Sequence, residues 1–165
     1  MQFVSFMLDQ EVFCVEVSRV REILNLLPIT KVPQTPSYMM GVINLRGQVV
    51  PVIDVRLKLG MSAGEQTQDT CIIVMEVHYG EEASIVIGAL ADAVSEVLEL
   101  QEDQIEPAPR LVTKLNTEFI QGMGKINNQF LILIDIDKVF GDDEIAMVQD
   151  AGQMEHLAEV EEVSS

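Results

Sequence analysis

An internal repeat constrains the fold of this chain most strongly, because the same landmarks recur at one spacing. The matching positions, all 81 residues apart, are Tyr38 and Phe119, Gly41 and Gly122, Asp54 and Asp135, and Gly60 and Gly141. A shorter match, between residues 20–24 and 94–98, precedes them in each copy. The repeat predicts two similar small units. Each has only about 65 residues and buries a thin core alone, so we expect the two units to pack on each other.

The clearest local signal is that of a β-hairpin, over residues 38–60, YMMGVINLRGQVVPVIDVRLKLG. Its return strand is rich in β-branched residues, and Gly47 stands where a tight turn needs a positive φ. Arg46 precedes that glycine in a very apolar stretch, where an arginine contributes nothing to a core. The second copy has Asn127 and Asn128 at this turn. Because Arg46 has no arginine counterpart in the second copy, we expect this residue to belong to a functional site.

Short apolar runs separated by turn residues indicate a mainly β fold for the rest of the chain. Ser18 is expected to cap a short helix over residues 19–24, with its apolar side chains facing inward. The proline-rich residues 27–36 are expected to be extended. Strands are predicted at 2–8, 12–17, 70–77, 84–89 and 130–136.

The net charge of −17 is concentrated in the later part of the chain. Residues 1–60 hold six of the ten basic side chains but only five of the 27 acidic ones. Such acidity repels phosphate backbones and anionic lipids, so we expect no nucleic-acid partner and no direct membrane insertion. The acidity serves either solubility or a charge-sorted partner surface, and composition does not separate the two. With no basic n-region at its N-terminus, the chain is expected to be cytoplasmic.

The residues that could carry chemistry are few. His78 and His156 lack a second ligand at metal-binding spacing, so we expect no metal site. No phosphate-binding glycine motif is present, and no cofactor is expected. Asp54 and Asp135 could be imagined as an acid–base pair, but their recurrence in both copies favours a structural role, such as a bond to turn amides. We therefore expect no enzyme, and we expect buried, reduced cysteines.

Three segments resemble the CheW family of bacterial chemotaxis coupling proteins. They are FCVEVSRVREIL, ITKVPQTPSYMMGVINLRGQVVPVIDVRLKLG and QIEPAPRLV…LNTEFIQGMGKINNQFLILIDIDKVF. The resemblance implies two five-stranded SH3-like barrels with a hydrophobic seam, the first strand crossing to the second barrel. It implies a domain over residues 1–140, divided into one subdomain at about 11–70 and another at about 1–10 plus 71–140. A kinase regulatory domain, or a coupler fused to a receiver, is disfavoured by the length of the chain. A small-ligand barrel or enzyme is disfavoured by two thin cores without a catalytic set.

The resemblance also implies partners and site residues. The function would be that of a non-catalytic adaptor between chemoreceptor tips and the CheA histidine kinase, in the cytoplasm at the receptor array. A coupling module of a non-motility pathway is the alternative. Glu22 and Arg46, with Val20 nearby, would bind the receptor; an ordinary surface ion pair is the competing interpretation. Gly41 and Gly47 would lie on the kinase-binding surface, or would serve only as bulge and turn glycines.

The last 25 residues, 141–165, differ from the rest of the chain. They hold eight acidic side chains and no lysine or arginine. Apolar residues near helical spacing, beginning with Ile145, Met147 and Val148, favour an amphipathic helix broken at Gly152. The other interpretation is a solvated, disordered end. We therefore predict a helical or disordered acidic tail after the β domain.

Overall fold

The computed structural model describes residues 1–62, 64–107, 119–141 and 144–150. These residues form eleven strands, with very little helix before residue 140. The strands are β1 (Gln2–Leu8), β2 (Glu11–Glu16), β3 (Val20–Asn25), β4 (Met39–Leu45), β5 (Gln48–Ile53), β6 (Cys71–Tyr79), β7 (Ala83–Ala91), β8 (Ala93–Glu99), β9 (Ile105–Glu106), β10 (Ile120–Ile126) and β11 (Gln129–Ile134). The helices are α1 (Val55–Lys58) and α2 (144–150), and 3-10 turns cover Val17–Arg19, Glu102–Gln104 and Ile136–Lys138.

Two curled mixed sheets divide the strands between them. One has the order β3-β6-β7-β5-β4 and comes from an uninterrupted part of the chain, so we name it the continuous barrel. The other has the order β8-β1-β2-β11-β10-β9 and combines strands from early and late in the chain, so we name it the composite barrel. The predicted mainly β fold with two packed barrels is confirmed.

The two barrels repeat one arrangement of strands, as the sequence repeat predicts. Strand β5 runs parallel to β7 in one barrel, and β11 runs parallel to β2 in the other. The β4–β5 and β10–β11 hairpins share a bulge next to Gly41 and Gly122. The predicted asparagine turn is also present, since Asn127 and Asn128 both have positive φ. Residues 81 positions apart therefore occupy equivalent places.

Strand pairing divides the chain differently from the expected subdomains at 11–70 and at 1–10 plus 71–140. Strand β2 stays with β1 because the two-residue turn Asp9–Gln10 joins them as a hairpin. Strands β6 and β7 form a second hairpin, which lies between β3 and β5. Residues 11–16 therefore belong to the composite barrel and residues 71–91 to the continuous barrel. A tight hairpin keeps its two strands in one sheet, and the expected division between residues 10 and 11 ignores this. The division near residue 70 fails because the β6–β7 hairpin completes the sheet between β3 and β5.

The predicted helix over residues 19–24 is wrong, because these residues form strand β3 after a single 3-10 turn. Exposure alternates along the strand, and Ile23 is 45% exposed instead of facing inward. Valine and isoleucine are β-branched and fit a strand better than a helix. A segment of six residues fits both a helical and an alternating pattern, and pairing with β6 decides in favour of the strand.

Three groups of apolar side chains form the interior. The largest draws on both barrels and includes Phe6 and Phe13, whose rings lie 6.1 Å apart. Each barrel also has a smaller core of its own. Helix α2 adds Ile145 and Val148 to the shared core. The start of the predicted tail is thus a packed helix, and residues 151–165 lie outside the described part of the chain.

Candidate functional site

The β4–β5 turn is built to project Arg46. Leu45 and Gln48 close the hairpin, so Arg46 and Gly47 are its two central residues. Their φ values are +51° and +86°, the left-handed pair that a tight two-residue hairpin turn requires. The Asn44 side-chain oxygen accepts a 2.9 Å hydrogen bond from the Gly47 N–H and fixes the turn from inside. The Arg46 side chain is 72% exposed as a result.

Arg46 and Glu22 form an ion pair between the two edges of the continuous barrel. The guanidinium donates to the Glu22 carboxylate at 2.8 Å. Glu22 lies on β3 and Arg46 follows β4, and these strands are the opposite edges of the sheet. The sheet must therefore curl until its edges meet at this pair. An exposed pair of this kind contributes only about 0–1 kcal/mol to stability, so Arg46 is not needed to hold the fold.

Val20 lies near Glu22 in sequence but packs against a different core. A bulge between these residues places Val20 opposite Met75 and Glu22 opposite Val74. Neighbouring residues of a strand face opposite sides of a sheet. Val20 and Met75 accordingly pack in the shared core, whereas Val74 belongs to the smaller core of the continuous barrel. The structure thus brings Glu22 and Arg46 together and leaves Val20 on the other face.

The two glycines assigned to the kinase surface differ in their surroundings. Gly41 is buried, and a Cβ at this position would lie 2.2 Å from the Thr30 carbonyl oxygen. Gly47 is exposed, and a Cβ there would meet no atom within 4 Å. Gly41 therefore packs β4 against the proline-rich segment, as a bulge glycine does. Gly47 shares its turn with Arg46, so two surfaces expected for different partners meet there.

An apolar groove of about 440 Å³ lies on the continuous barrel beside that segment. Among the described residues that line it, most are aliphatic and Lys31 is the one with a charged side chain. Gly41 shapes its floor indirectly, because Ile29 sits 2.8 Å from the position that a Cβ on Gly41 would take. The lining residues are Leu26, Leu27, Pro28, Ile29, Lys31, Met40 and Gln66. The proline-rich segment, which meets β4 at the Thr30–Val42 bridge, thus forms one side of a concave apolar surface.

Besides Glu22–Arg46 and Arg21–Glu76, three ion pairs join distant parts of the described chain, and none of the three was expected from the sequence. Lys58 pairs with Glu144 and lies 4.9 to 5.9 Å from the ring centres of three aromatic residues, which belong to both barrels and the segment before α2. Burial alone would raise the pKa of Glu144, but hydrogen bonds from Lys58 and the Gly141 N–H outweigh it and lower the pKa. The other two pairs are Arg56–Asp92 and Arg19–Asp137. The three rings are those of Tyr38, Phe119 and Phe140.

The candidate acid–base carboxylates have structural roles. Asp54 accepts a 3.1 Å hydrogen bond from the Arg56 N–H, and Asp135 accepts one of 3.2 Å from the Asp137 N–H. Each caps the turn after a hairpin, as the repeat predicts.

Burial raises the pKa of the Cys14 thiol to about 12, so it stays protonated. Both cysteines are buried and free.

This fold and this site define a class, which is a double β-barrel binding module that presents a charged turn beside an apolar groove. Comparison with known proteins gives the family. The model of the CheW-like domain matches residues 2–144. The chain belongs to the CheW-like family.

Among the residues that the structure describes, no helix combines the length and the apolar character needed to cross a membrane.

Individual relatives agree with this assignment. A chemotaxis protein CheW of Klebsiella aerogenes is 35% identical over 152 residues, covering 92% of this chain and 89% of the relative. That of Rhizobium meliloti is 37% identical over 143 residues, covering 87% and 89%. The crystal structure of the scaffolding protein TtCheW from Thermoanaerobacter tengcongensis aligns with a TM-score of 0.76 at 33% identity, over 87% of this chain and 89% of that one. These names give no support to a non-motility alternative.

Proposed function

We propose that this protein joins the cytoplasmic tips of chemoreceptors to the regulatory domain of a CheA histidine kinase, without catalysing a reaction. Its role as a chemotaxis coupling adaptor follows from its family and is supported by relatives named as chemotaxis and scaffolding proteins. The proposal places the protein in the cytoplasm at the receptor array. The two partners and the surfaces that bind them are the new parts of the proposal.

The single observation that carries the proposal is the presentation of Arg46. Its turn is fixed by Asn44, its charge is 72% exposed, and its ion pair contributes little to stability. A charged side chain that is held in place and not needed for the fold is available to a partner. Glu22, which is 29% exposed, sets the direction of the guanidinium. We assign these two residues to the receptor.

A chemoreceptor tip is an α-helical hairpin, so the expected mode is a helix laid along an apolar surface with charged contacts at its edge. Val20 does not share a face with Glu22. We assign it a supporting role, in which its side chain packs in the shared core and holds strand β3 in place. We assign the apolar groove lined by Ile29 and Met40 to the kinase. Gly41 supports that groove from beneath, whereas Gly47 would contact the kinase only at the hairpin tip.

Reversing the charge of Arg46 tests the receptor site. Arg46→Glu removes the guanidinium that the receptor would meet and presents a carboxylate instead, and a like-charge contact with an acidic receptor side chain costs several kcal/mol. Each 1.4 kcal/mol is tenfold in affinity, so receptor binding should weaken by about tenfold or more. Glu22→Lys should weaken it likewise. Kinase binding should change less, because neither Arg46 nor Glu22 lines the groove that forms most of the proposed kinase surface. Titration of a receptor fragment and a kinase fragment measures both affinities.

Arg21→Glu is a matched control, because it makes the same charge change on β3, directly next to Glu22. Arg21 is 58% exposed and pairs with Glu76, whereas Arg46 pairs with Glu22. Circular dichroism confirms that each variant is folded. If folded Arg46→Glu protein binds the receptor fragment as the wild type does, the site assignment is wrong. Equal losses for Arg21→Glu and Arg46→Glu would indicate a general charge effect instead of a specific contact.

A further inference from the structure

Strand β3, which carries Glu22, is held on one side only within its own barrel. It is an edge strand, so β6 is the one strand that pairs with it in the described sheet. The register between β3 and β6 shifts at a bulge between Val20 and Glu22. Bulges change the direction of the side chains beside them. The direction of the Glu22 carboxylate therefore depends on where β3 begins and on where the facing end of β6 lies.

Asp137 of the composite barrel contacts both of these places. It lies in the 3-10 turn that follows β11. Its Oδ1 atom accepts a 2.8 Å hydrogen bond from the His78 N–H, near the end of β6. Its Oδ2 atom pairs with Arg19, the residue directly before β3. One carboxylate thus joins the start of β3 to the facing end of β6 from outside the sheet.

The contact between Arg19 and Asp137 is better shielded than the pair that it supports. The side chains of Arg19 and Asp137 are 23% and 25% exposed, against 72% for Arg46. Salt screens partly buried charges less than exposed ones. Arg19 also ends residues 17–19, the connection by which the chain passes from β2 of the composite barrel to β3. The position of the composite barrel is therefore linked to that of β3.

A similar carboxylate joins the barrels elsewhere and contacts neither β3 nor β6 through its ion pair or its hydrogen bonds. Asp92 is the single residue between β7 and β8. Its side chain accepts a 2.8 Å hydrogen bond from the Asp9 N–H, in the β1–β2 turn. It also pairs with Arg56, in α1. Asp92 therefore provides a matched control for Asp137, since it has the same chemistry between the barrels at a different place.

We propose that Asp137 is a positioning residue for the receptor site, through which the composite barrel sets the direction of Glu22 on the continuous barrel. This role rests on the proposed assignment of Glu22 and Arg46 to the receptor. Asp137 itself does not contact the receptor. It holds Arg19 and His78 in place, so that the carboxylate of Glu22 meets the guanidinium of Arg46 and the pair is presented in one geometry.

Titration of a receptor fragment against full-length variants tests this role. Asp137→Ala should weaken receptor binding by about twofold to tenfold, because hydrogen bonds that fix Glu22 are lost while both contact residues remain. Asp137→Asn should restore part of the affinity, since its side-chain oxygen still accepts the His78 N–H. Asp92→Ala should bind the receptor as the wild type does. Circular dichroism and urea denaturation show that each variant is folded.

A double-mutant cycle separates positioning from a general loss of stability. Because Asp137 acts through Glu22, Asp137→Ala should cause no further loss of receptor binding in a Glu22→Ala background. Additive losses would overturn the proposal, and so would equal losses for Asp92→Ala and Asp137→Ala. If Asp137→Ala does not fold, Asp137→Asn takes its place in the cycle, and wild-type affinity of the folded variant would likewise overturn it. Wild-type affinity of Glu22→Ala alone would instead show that the receptor assignment itself is wrong.

Discussion

Alanine at Gly41 should destabilise the protein far more than alanine at Gly47. At Gly41, φ is +147° and the added Cβ would lie 2.2 Å from the Thr30 carbonyl oxygen. That oxygen accepts a 2.8 Å hydrogen bond from the Val42 N–H, and Thr30 donates one of 2.9 Å in return. The clash can be relieved only by moving this backbone bridge. At Gly47, φ is +86° and the added Cβ meets no atom within 4 Å.

These contacts set the size of the effect. The strained φ of Gly41→Ala costs about 1–3 kcal/mol, and the two bridge bonds contribute about 0.5–1.5 kcal/mol each. The sum, about 2–6 kcal/mol, is a large part of the roughly 5–15 kcal/mol that stabilises a native protein. In a chain of this length 1 kcal/mol shifts Tm by about 2–4 °C, so we expect a fall of about 4–24 °C. Gly47→Ala should cost only about 1–2 kcal/mol, the left-handed strain alone.

Thermal and urea denaturation followed by circular dichroism give both values. Gly47→Asn is the matched control, because asparagine tolerates the left-handed region and Asn128 occupies the equivalent turn. A Gly41→Ala protein that unfolds within about 2 °C of the wild type would refute the packing argument. Titration of the folded Gly47 variants against a kinase fragment shows whether the hairpin tip belongs to the kinase surface. Unchanged affinity would remove Gly47 from it.

Two further predictions concern the contact between Lys58 and Glu144. Lys58→Met removes the charge but keeps an apolar stem among the three rings, and leaves Glu144, 34% exposed, without its partner. We expect a loss of about 1–3 kcal/mol in urea denaturation, less than for a fully buried pair; no loss would contradict this. Folding lowers the pKa of Glu144, so its ionised carboxylate contributes stability. That stability is fully present above the pKa of the unfolded state and is lost as the pH falls through the pKa of the folded state. Between about pH 5 and pH 3, Glu144→Gln should therefore lose less stability than the wild type; equal slopes would refute this.

The repeat predicted much of the fold because equivalent positions face equivalent backbone demands. Glycine is required at the bulge of each hairpin and aspartate at each cap, so both recur in the sequence. The contact between Glu22 and Arg46 came from family resemblance, and the structure shows the two residues in contact. Local signals failed over residues 20–25, where helical and alternating patterns fit equally well and strand pairing decides.

The long-range ion pairs were beyond sequence reasoning for a different reason. Lys58 and Glu144 are 86 residues apart, and Arg19 and Asp137 are 118 apart. No local pattern links residues at such separations. The subdomain division failed similarly, because the composite barrel takes its hairpin from the start of the chain.

The composite barrel also sets an order of events during synthesis. Its strands β1 and β2 are made first but lie in the middle of the sheet, and they pair with β8 and β11. Ribosomes add about 5–20 residues per second, so the early hairpin waits roughly 4–15 seconds before β8 is made. An isolated hairpin is at best marginally stable in water. The continuous barrel receives its last strand, β7, only just before β8 is made. Until then the apolar faces of the first hairpin stay open to chaperones and to other nascent chains.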